Sequence, residues 1–193
     1  MKYFDPNDCC NFLNKTNIAL ISINDCKKLA ELERPFADRY YDFVNRSPEE
    51  REDNVVNGKF GEFYAQTWLA NSGYRIIRGV AISEKIDPTK NPDDGNDFII
   101  SLNGSNQGIQ IKFCERYFNI SEHQEYTINK CFNRGIKVLV CHRYLCPPRC
   151  KYYSYKLRYL TKDIFNNNLL DSKQDGGYKY ICPDKIPKFV GQF

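Results

Sequence analysis

Asp97, Gln110 and Lys112 are side chains of the types that phosphate chemistry uses. Asp97 directly precedes the apolar run Phe98-Ile99-Ile100-Ser101-Leu102, and Gln110-Ile111-Lys112 sits inside the alternating run Gly108–Phe113. Side chains of an extended strand alternate with period two, so Gln110 and Lys112 share a face. In a suitable register Asp97 approaches that face near the sheet's edge. Oxygen donors beside a lysine suit phosphodiester cleavage. Hard Mg2+ prefers carboxylate, amide and backbone oxygens and keeps several waters, and Mn2+ is its expected substitute. Such an ion polarises the scissile phosphate, lowers the pKa of an attacking water and stabilises the departing oxygen. Lys112 would orient that water or offset charge growing on the phosphorane.

The short pattern by itself is common, because Asp25-Cys26-Lys27 and Asp171-Ser172-Lys173 repeat it. Its context is what distinguishes the copy at 110–112. Only this copy lies in an alternating strand, after an aspartate-led strand and before a helix and a further strand. Asp93 and Asp94 are alternatives to Asp97, which is preferred because it adjoins the apolar strand.

The elements that must position these residues can be read outward from them. Ser47-Pro48-Glu49-Glu50 opens a helix: Ser47 caps free amides, Pro48 suits the first helical position, and Glu50 completes a capping box. Val56, Phe60, Phe63, Tyr64, Thr67 and Trp68 recur at helical spacing, with Gly58 and Gly61 marking a bend or close packing. Asn71-Ser72-Gly73 stops the helix, with Gly73 in a left-handed conformation. A strand over Tyr74–Ile82, a loop over Lys85–Asn96 and the strand led by Asp97 follow. Asn103-Gly104-Ser105-Asn106 is turn chemistry, and Gly108–Phe113 returns as a hairpin. A helix over Ser121–Phe132, ended by Gly135, leads to a buried strand over Ile136–Cys141. The strand–helix–strand crossover requires parallel pairing, so the sheet should be mixed. Upstream, Ile18–Ile23 reads as a short strand and Asp25–Tyr41 has helix-like spacing, while Asn166-Asn167-Asn168 reads as a loop.

A chain of 193 residues fits one compact domain, and 41% hydrophobic with 27% charged residues is globular and argues against disorder. No apolar run approaches the roughly 18 residues of a membrane helix, so no membrane partner is expected. Met1–Pro6 lacks the apolar stretch of a signal peptide, and nine cysteines without an export signal fit free thiols in a cytoplasmic setting. Charge is unevenly distributed. Residues 1–100 carry a net −4 and residues 101–193 a net +8. Between Arg134 and Lys162 there are eight basic residues and no acid, interleaved with Tyr144, Tyr152, Tyr153, Tyr155 and Tyr159. Cations neutralise phosphates and aromatic rings stack on bases, so the segment nominates nucleic acid, against the alternative of a solvated basic face.

At these residues the sequence resembles the PD-(D/E)XK nuclease superfamily. The order helix, three-strand meander, crossover helix and strand covers residues 47–142. Gly58-Lys59-Phe60-Gly61-Glu62 and Ser72-Gly73-Tyr74 resemble the first helix of Holliday-junction resolvases, and Asp94-Gly95-Asn96-Asp97-Phe98 resembles the family's glycine-aspartate-strand signature. Gln110 departs from the usual acid and is similar to the glutamine of Mrr-like nucleases. The resemblance implies a restriction-endonuclease-like α/β core with a mixed central sheet flanked by helices (α-β-β-β-α-β). It also implies metal ligation by Glu62, Asp97, Gln110 and the Ile111 carbonyl, with Lys112 as the family lysine.

The organisation expected is an N-terminal extension over 1–46 packed on a nuclease core over 47–142, with basic, tyrosine-rich elements of the same domain over 143–193. The activity expected is that of a Mg2+-dependent endonuclease on double-stranded DNA leaving a 5′-phosphate, working as a homodimer. A type II restriction enzyme is preferred to a Holliday-junction resolvase or repair nuclease, because roughly 50 residues follow the core as room for recognition elements. A non-catalytic DNA-binding protein on a decayed core is the reading from another class. Arg143, Arg149, Lys151, Lys156 and Arg158 would hold DNA, with Arg116 and Tyr117 contacting its backbone near the cleft. Cys141, Cys146, Cys150 and Cys182 with His142 raise a structural Zn2+, which is disfavoured because no paired-cysteine knuckle is present. His142 is also disfavoured as the base of a Cys/His pair, since adjacent strand residues face opposite ways.

Overall fold

The computed structural model describes residues 23–31, 34, 47–80, 95–145, 153–171 and 178–193. The chain forms two compact units, residues 1–106 and 107–193.

In the first unit, Ser47 starts the long helix as its spacing predicts. The Ser47 hydroxyl accepts the Glu50 N–H at 3.2 Å, and the Glu50 carboxylate accepts the Ser47 N–H at 3.1 Å. That reciprocal cap stabilises by about 1 kcal/mol. The helix, α2 (Pro48–Asn71), follows α1 (Ile23–Glu31). It runs without interruption through Gly58 and Gly61, and a Cβ at Gly58 would meet nothing within 4 Å. Gly58 therefore marks no close approach of a neighbouring element. The helix ends in a Schellman turn: Gly73, at φ +91°, donates to Ala70 and Tyr74 donates to Leu69.

The buried side of α2 is wider than the expected stripe. Phe60, Phe63 and Thr67 are buried, and so are Val55, Ala65, Gln66 and Leu69. Fully enclosed Gln66 accepts the Val80 N–H at 2.7 Å, which ties the chain beyond β1 (Arg75–Arg78) to the helix. α1 turns Cys26 and Ala30 inward, with Cys26 Sγ 3.7 Å from Thr67 Oγ1. The strand expected over Ile18–Ile23 is corrected at Ile23, the residue of that run the structure describes, because Ile23 opens α1. Cys26 and Ala30, four residues apart, are both buried on one face of that helix.

β1 is shorter than the strand expected over Tyr74–Ile82. It pairs antiparallel with β2 (Phe98–Leu102), with a bulge between Ile76 and Arg78. Asn103 and Gly104 follow at φ +51° and +78°, the two positive values that a tight hairpin turn requires.

The second unit is built on β3 (Ser105–Cys114), β4 (Phe118–Ile120), α3 (Glu122–Asn133), β5 (Lys137–Leu145), β6 (Tyr153–Leu160), α4 (Lys162–Asn168), β7 (Leu170–Asp171) and β8 (Lys179–Ile181). Ser121 and Gln124 form a second capping box, and Gly135, at φ +71°, ends α3. The crossover through α3 brings β5 parallel to β3, with Gln110 beside Val138 and Lys112 beside Val140. β6 then pairs antiparallel with β5. The central sheet has the order β1-β2-β3-β5-β6, the mixed α/β arrangement expected from the order of elements.

Two features of this unit depart from expectation. A three-stranded sheet, β4-β8-β7, forms from pieces of two and three residues. Asn166-Asn167-Asn168 ends α4 and is not a loop. Thr161 caps that helix by accepting the Ile164 N–H at 3.3 Å, buried Phe165 anchors it, and Asn168 donates to the Ile164 carbonyl. The unit's core joins Cys114, Ile128, Cys131, Val138 and Val140 to Leu160, Phe165, Ile181 and Ile186.

Candidate active site

In the first unit, Glu62 lies on α2, its side chain 14% exposed, and its carboxylate accepts from Lys59 Nζ at 2.7 Å. The spacing of three residues puts both on one helix face. Lys59 was not among the expected site residues, although the i, i+3 spacing of opposite charges is legible in the sequence. Half-buried Asp97 directly precedes β2, whose Phe98 and Ile100 are fully enclosed. The approach to it is fixed by Gly95 at φ +76° and by the Asn96 carbonyl, which accepts from Arg78 at 3.0 Å. Asp93 and Asp94 lie outside the described residues.

In the second unit, Gln110 is 8% and Ile111 5% exposed, while Lys112 is half-buried. The registers of β3, β5 and β6 make Gln110–Val138–Leu160 one cross-strand row and Lys112–Val140–Arg158 the next. Gln110 and Lys112 therefore share the sheet face that carries the unit's core. Gln110 Nε2 donates to the Ile111 carbonyl at 3.3 Å, so the amide closes on the carbonyl expected to bind metal. Lys112 has no carboxylate partner among the described residues.

No group of three or more His, Cys, Asp or Glu gathers among the described residues. The expected donors are instead two carboxylates, an amide oxygen and a backbone carbonyl. An all-oxygen set of that kind fits a hard divalent cation and would not suit zinc. Of the cysteines raised for Zn2+, Cys141 is buried and Cys182 half-buried, neither in a disulfide, and Cys146 and Cys150 lie outside the described residues.

The basic positions divide by burial. Arg158, expected on DNA, is 6% exposed. Its guanidinium donates to Asp184 at 2.6 Å, to the Ile186 carbonyl at 2.7 Å and to His142 Nδ1 at 3.2 Å. Buried, with Nε, Nη1 and Nη2 each donating within its own unit, this guanidinium is tied into the fold where an exposed DNA-contacting cation was expected. Burial, and after it the Arg158 charge, hold His142 below the usual histidine pKa, so its Nδ1 stays an acceptor. Cys114, on the same face, is pushed up to about 12 by burial, an inert thiol.

Half-buried Arg143 pairs with Glu115 and lies 5.4 Å over the Phe113 ring. Lys156 lies 4.3 Å over the Tyr144 ring. Arg116 and Tyr117 are exposed, with the guanidinium 5.5 Å over the ring. Arg149 and Lys151 lie outside the described residues.

Comparison with protein-family models and with curated protein sequences returns no match. Among solved structures, the chain is similar to Hjc, a Holliday junction resolvase from the archaeal hyperthermophile Archaeoglobus fulgidus. The TM-score is 0.38 and the identity 15%, over 65% of this chain and 92% of that one.

Proposed function

We propose that the chain is a Mg2+-dependent DNA endonuclease of the PD-(D/E)XK kind, acting on branched or damaged DNA as a junction resolvase or repair nuclease does. The observation that carries the reading is the setting of Gln110 and Lys112. They share a face of β3, a strand whose partners in the sheet are the strand that Asp97 leads and a parallel strand reached through α3. Glu62, Asp97, Gln110 and the Ile111 carbonyl would hold the cation, with Mn2+ as a substitute. When bound, it supplies polarisation of the phosphate and an activated water. Lys112 brings an ammonium group that orients the water and meets charge developing on the phosphate.

The choice of substrate follows from what the C-terminal residues do. The preference for a restriction enzyme rested on residues beyond the core serving as recognition elements. Leu160, Phe165, Ile181 and Ile186 instead complete the second unit's core. That favours shape-directed cleavage. A two-fold substrate of this kind suits a homodimer.

The test sets a four-way junction, a linear duplex of matching sequence and mixed plasmid and phage DNA side by side, with and without Mg2+. Junction-selective cutting supports the proposal, and discrete fragments from linear DNA would return the restriction reading. No cutting under any divalent ion would leave a DNA-binding protein. Lys112→Ala should keep the circular dichroism spectrum and DNA affinity while lowering the rate by roughly 10²–10⁴. Cleavage at the parental rate would remove this cluster as the site.

A further inference from the structure

The small sheet has one buried and one outward face. Phe118, Ile120 and Ile181 turn inward, at 2%, 1% and 0% exposed. The register aligns Asn119, Tyr180 and Leu170 in a row on the opposite side. Leu170 is 51% exposed, and Tyr178, two residues ahead of Tyr180, is 43% exposed. Tyr117, 44% exposed, meets the Tyr180 ring edge-on at 5.4 Å between centroids. Arg116 lies over Tyr117 and has no carboxylate partner among the described residues. The other nearby cation, Lys179, is held by Glu125 at 2.8 Å.

We infer that this face, formed by Arg116, Tyr117, Tyr178, Tyr180 and Leu170, is a stacking platform for unpaired nucleotides of a DNA strand. Three tyrosines present ring surface to solvent, at an energetic disadvantage that stacked bases would remove. Bases stack on tyrosine rings and on guanidinium planes alike. The unit that carries the face, residues 107–193, has a net charge of +8, which complements a polyanion. The platform rests on the proposed function only for its partner being DNA, and it uses none of the residues assigned to cleavage.

Binding of fluorescein-labelled oligothymidylate and of a blunt duplex is followed by anisotropy in EDTA, so the outcome does not depend on any cleavage. Tyr117→Ala should weaken oligothymidylate binding by roughly 5- to 100-fold, the range for losing one stacked base, and leave duplex binding within about twofold. Tyr117→Phe, which keeps the ring, should bind as the parent does. Tyr180→Ala should repeat the loss, and the exposed Tyr117 pair decides if that variant does not fold. The inference is overturned if Tyr117→Ala binds oligothymidylate like the parent, or loses duplex and single strand equally. It is also overturned if the parent does not bind oligothymidylate, which would return the face to a protein partner or a second copy of the chain.

Discussion

Replacing Arg158 by Met separates a structural cation from a DNA-binding one. Met retains much of the arginine stem but removes every donor. Three acceptors are then abandoned, and their surroundings decide the effect. Asp184 is 83% exposed and is resolvated by water, so its ion pair contributes under about 1 kcal/mol. The Ile186 carbonyl, on a fully enclosed residue, and His142 Nδ1, on a residue 9% exposed, lose their partner away from water. Each orphaned group costs about 1–3 kcal/mol, and allowing for non-additivity the loss is roughly 2–5 kcal/mol. At about 2–4 °C per kcal/mol for a chain of this size, the melting temperature should fall by roughly 5–15 °C. Thermal unfolding by circular dichroism reads that shift. The companion measurement is the slope of log affinity against log salt for duplex DNA, which changes by about 0.9 for each phosphate contact removed. Arg158→Met, measured well below its melting temperature, should leave the slope unchanged. A variant that melts like the parent but loses one unit of slope would refute the reasoning and return Arg158 to the DNA.

The same cluster should give a pH signature. The folded-state pKa of His142 is depressed, by burial first and by Arg158 and Lys156 of β6 after it, with Asp184 opposing. Its stabilising contribution is therefore complete above the unfolded value near 6.5, and is lost as pH falls from there through the folded value. His142→Gln, whose amide still offers an acceptor to Arg158, should flatten the fall of melting temperature below about pH 6.5. An unchanged profile would mean that another group is responsible. At Gly135, φ is +71° and an added Cβ meets nothing within 4 Å, so Gly135→Ala strains the backbone without a clash. It should cost about 1–2 kcal/mol, read as a fall of roughly 2–8 °C, and a neutral result would mean that the left-handed conformation is not required.

Features set by chemistry within a few residues were legible in the sequence. Ser47 with Glu50 begins α2 because both halves of a capping box lie three residues apart, and Gly73 and Gly135 end helices where a positive φ is needed. Asn103-Gly104 specifies its turn for the same reason. The parallel pairing of β3 and β5 was also legible, because a crossover helix between two strands of one sheet leaves little choice. The small sheet was not, because strands of two or three residues carry no periodicity and gain stability only from partners far along the chain. The three asparagines of α4 looked like a loop by propensity, but buried Phe165 and the Thr161 cap outweigh a few tenths of a kcal/mol per residue. Arg158 looked like the rest of a basic run because its main partner, Asp184, lies 26 residues away. Of the candidate site, side-chain types and the shared face of Gln110 and Lys112 were readable. The closure of Gln110 on the Ile111 carbonyl emerges only with side-chain placement.

Glutamine at position 110 shapes what the rest of the proposed site must supply. At 8% exposure, a carboxylate there would be desolvated, whereas the amide is neutral and finds an acceptor in the Ile111 carbonyl. With a neutral residue at 110, the carboxylates left to balance a divalent cation are Glu62 and Asp97, whose two charges match it. With the Lys112 ammonium counted, a third carboxylate would make the proposed site neutral when loaded, whereas the amide would leave it one positive charge for the phosphate. If the proposed site forms, Asp97 alone would leave a divalent ion half-compensated, and the acid at 62 would supply the second charge.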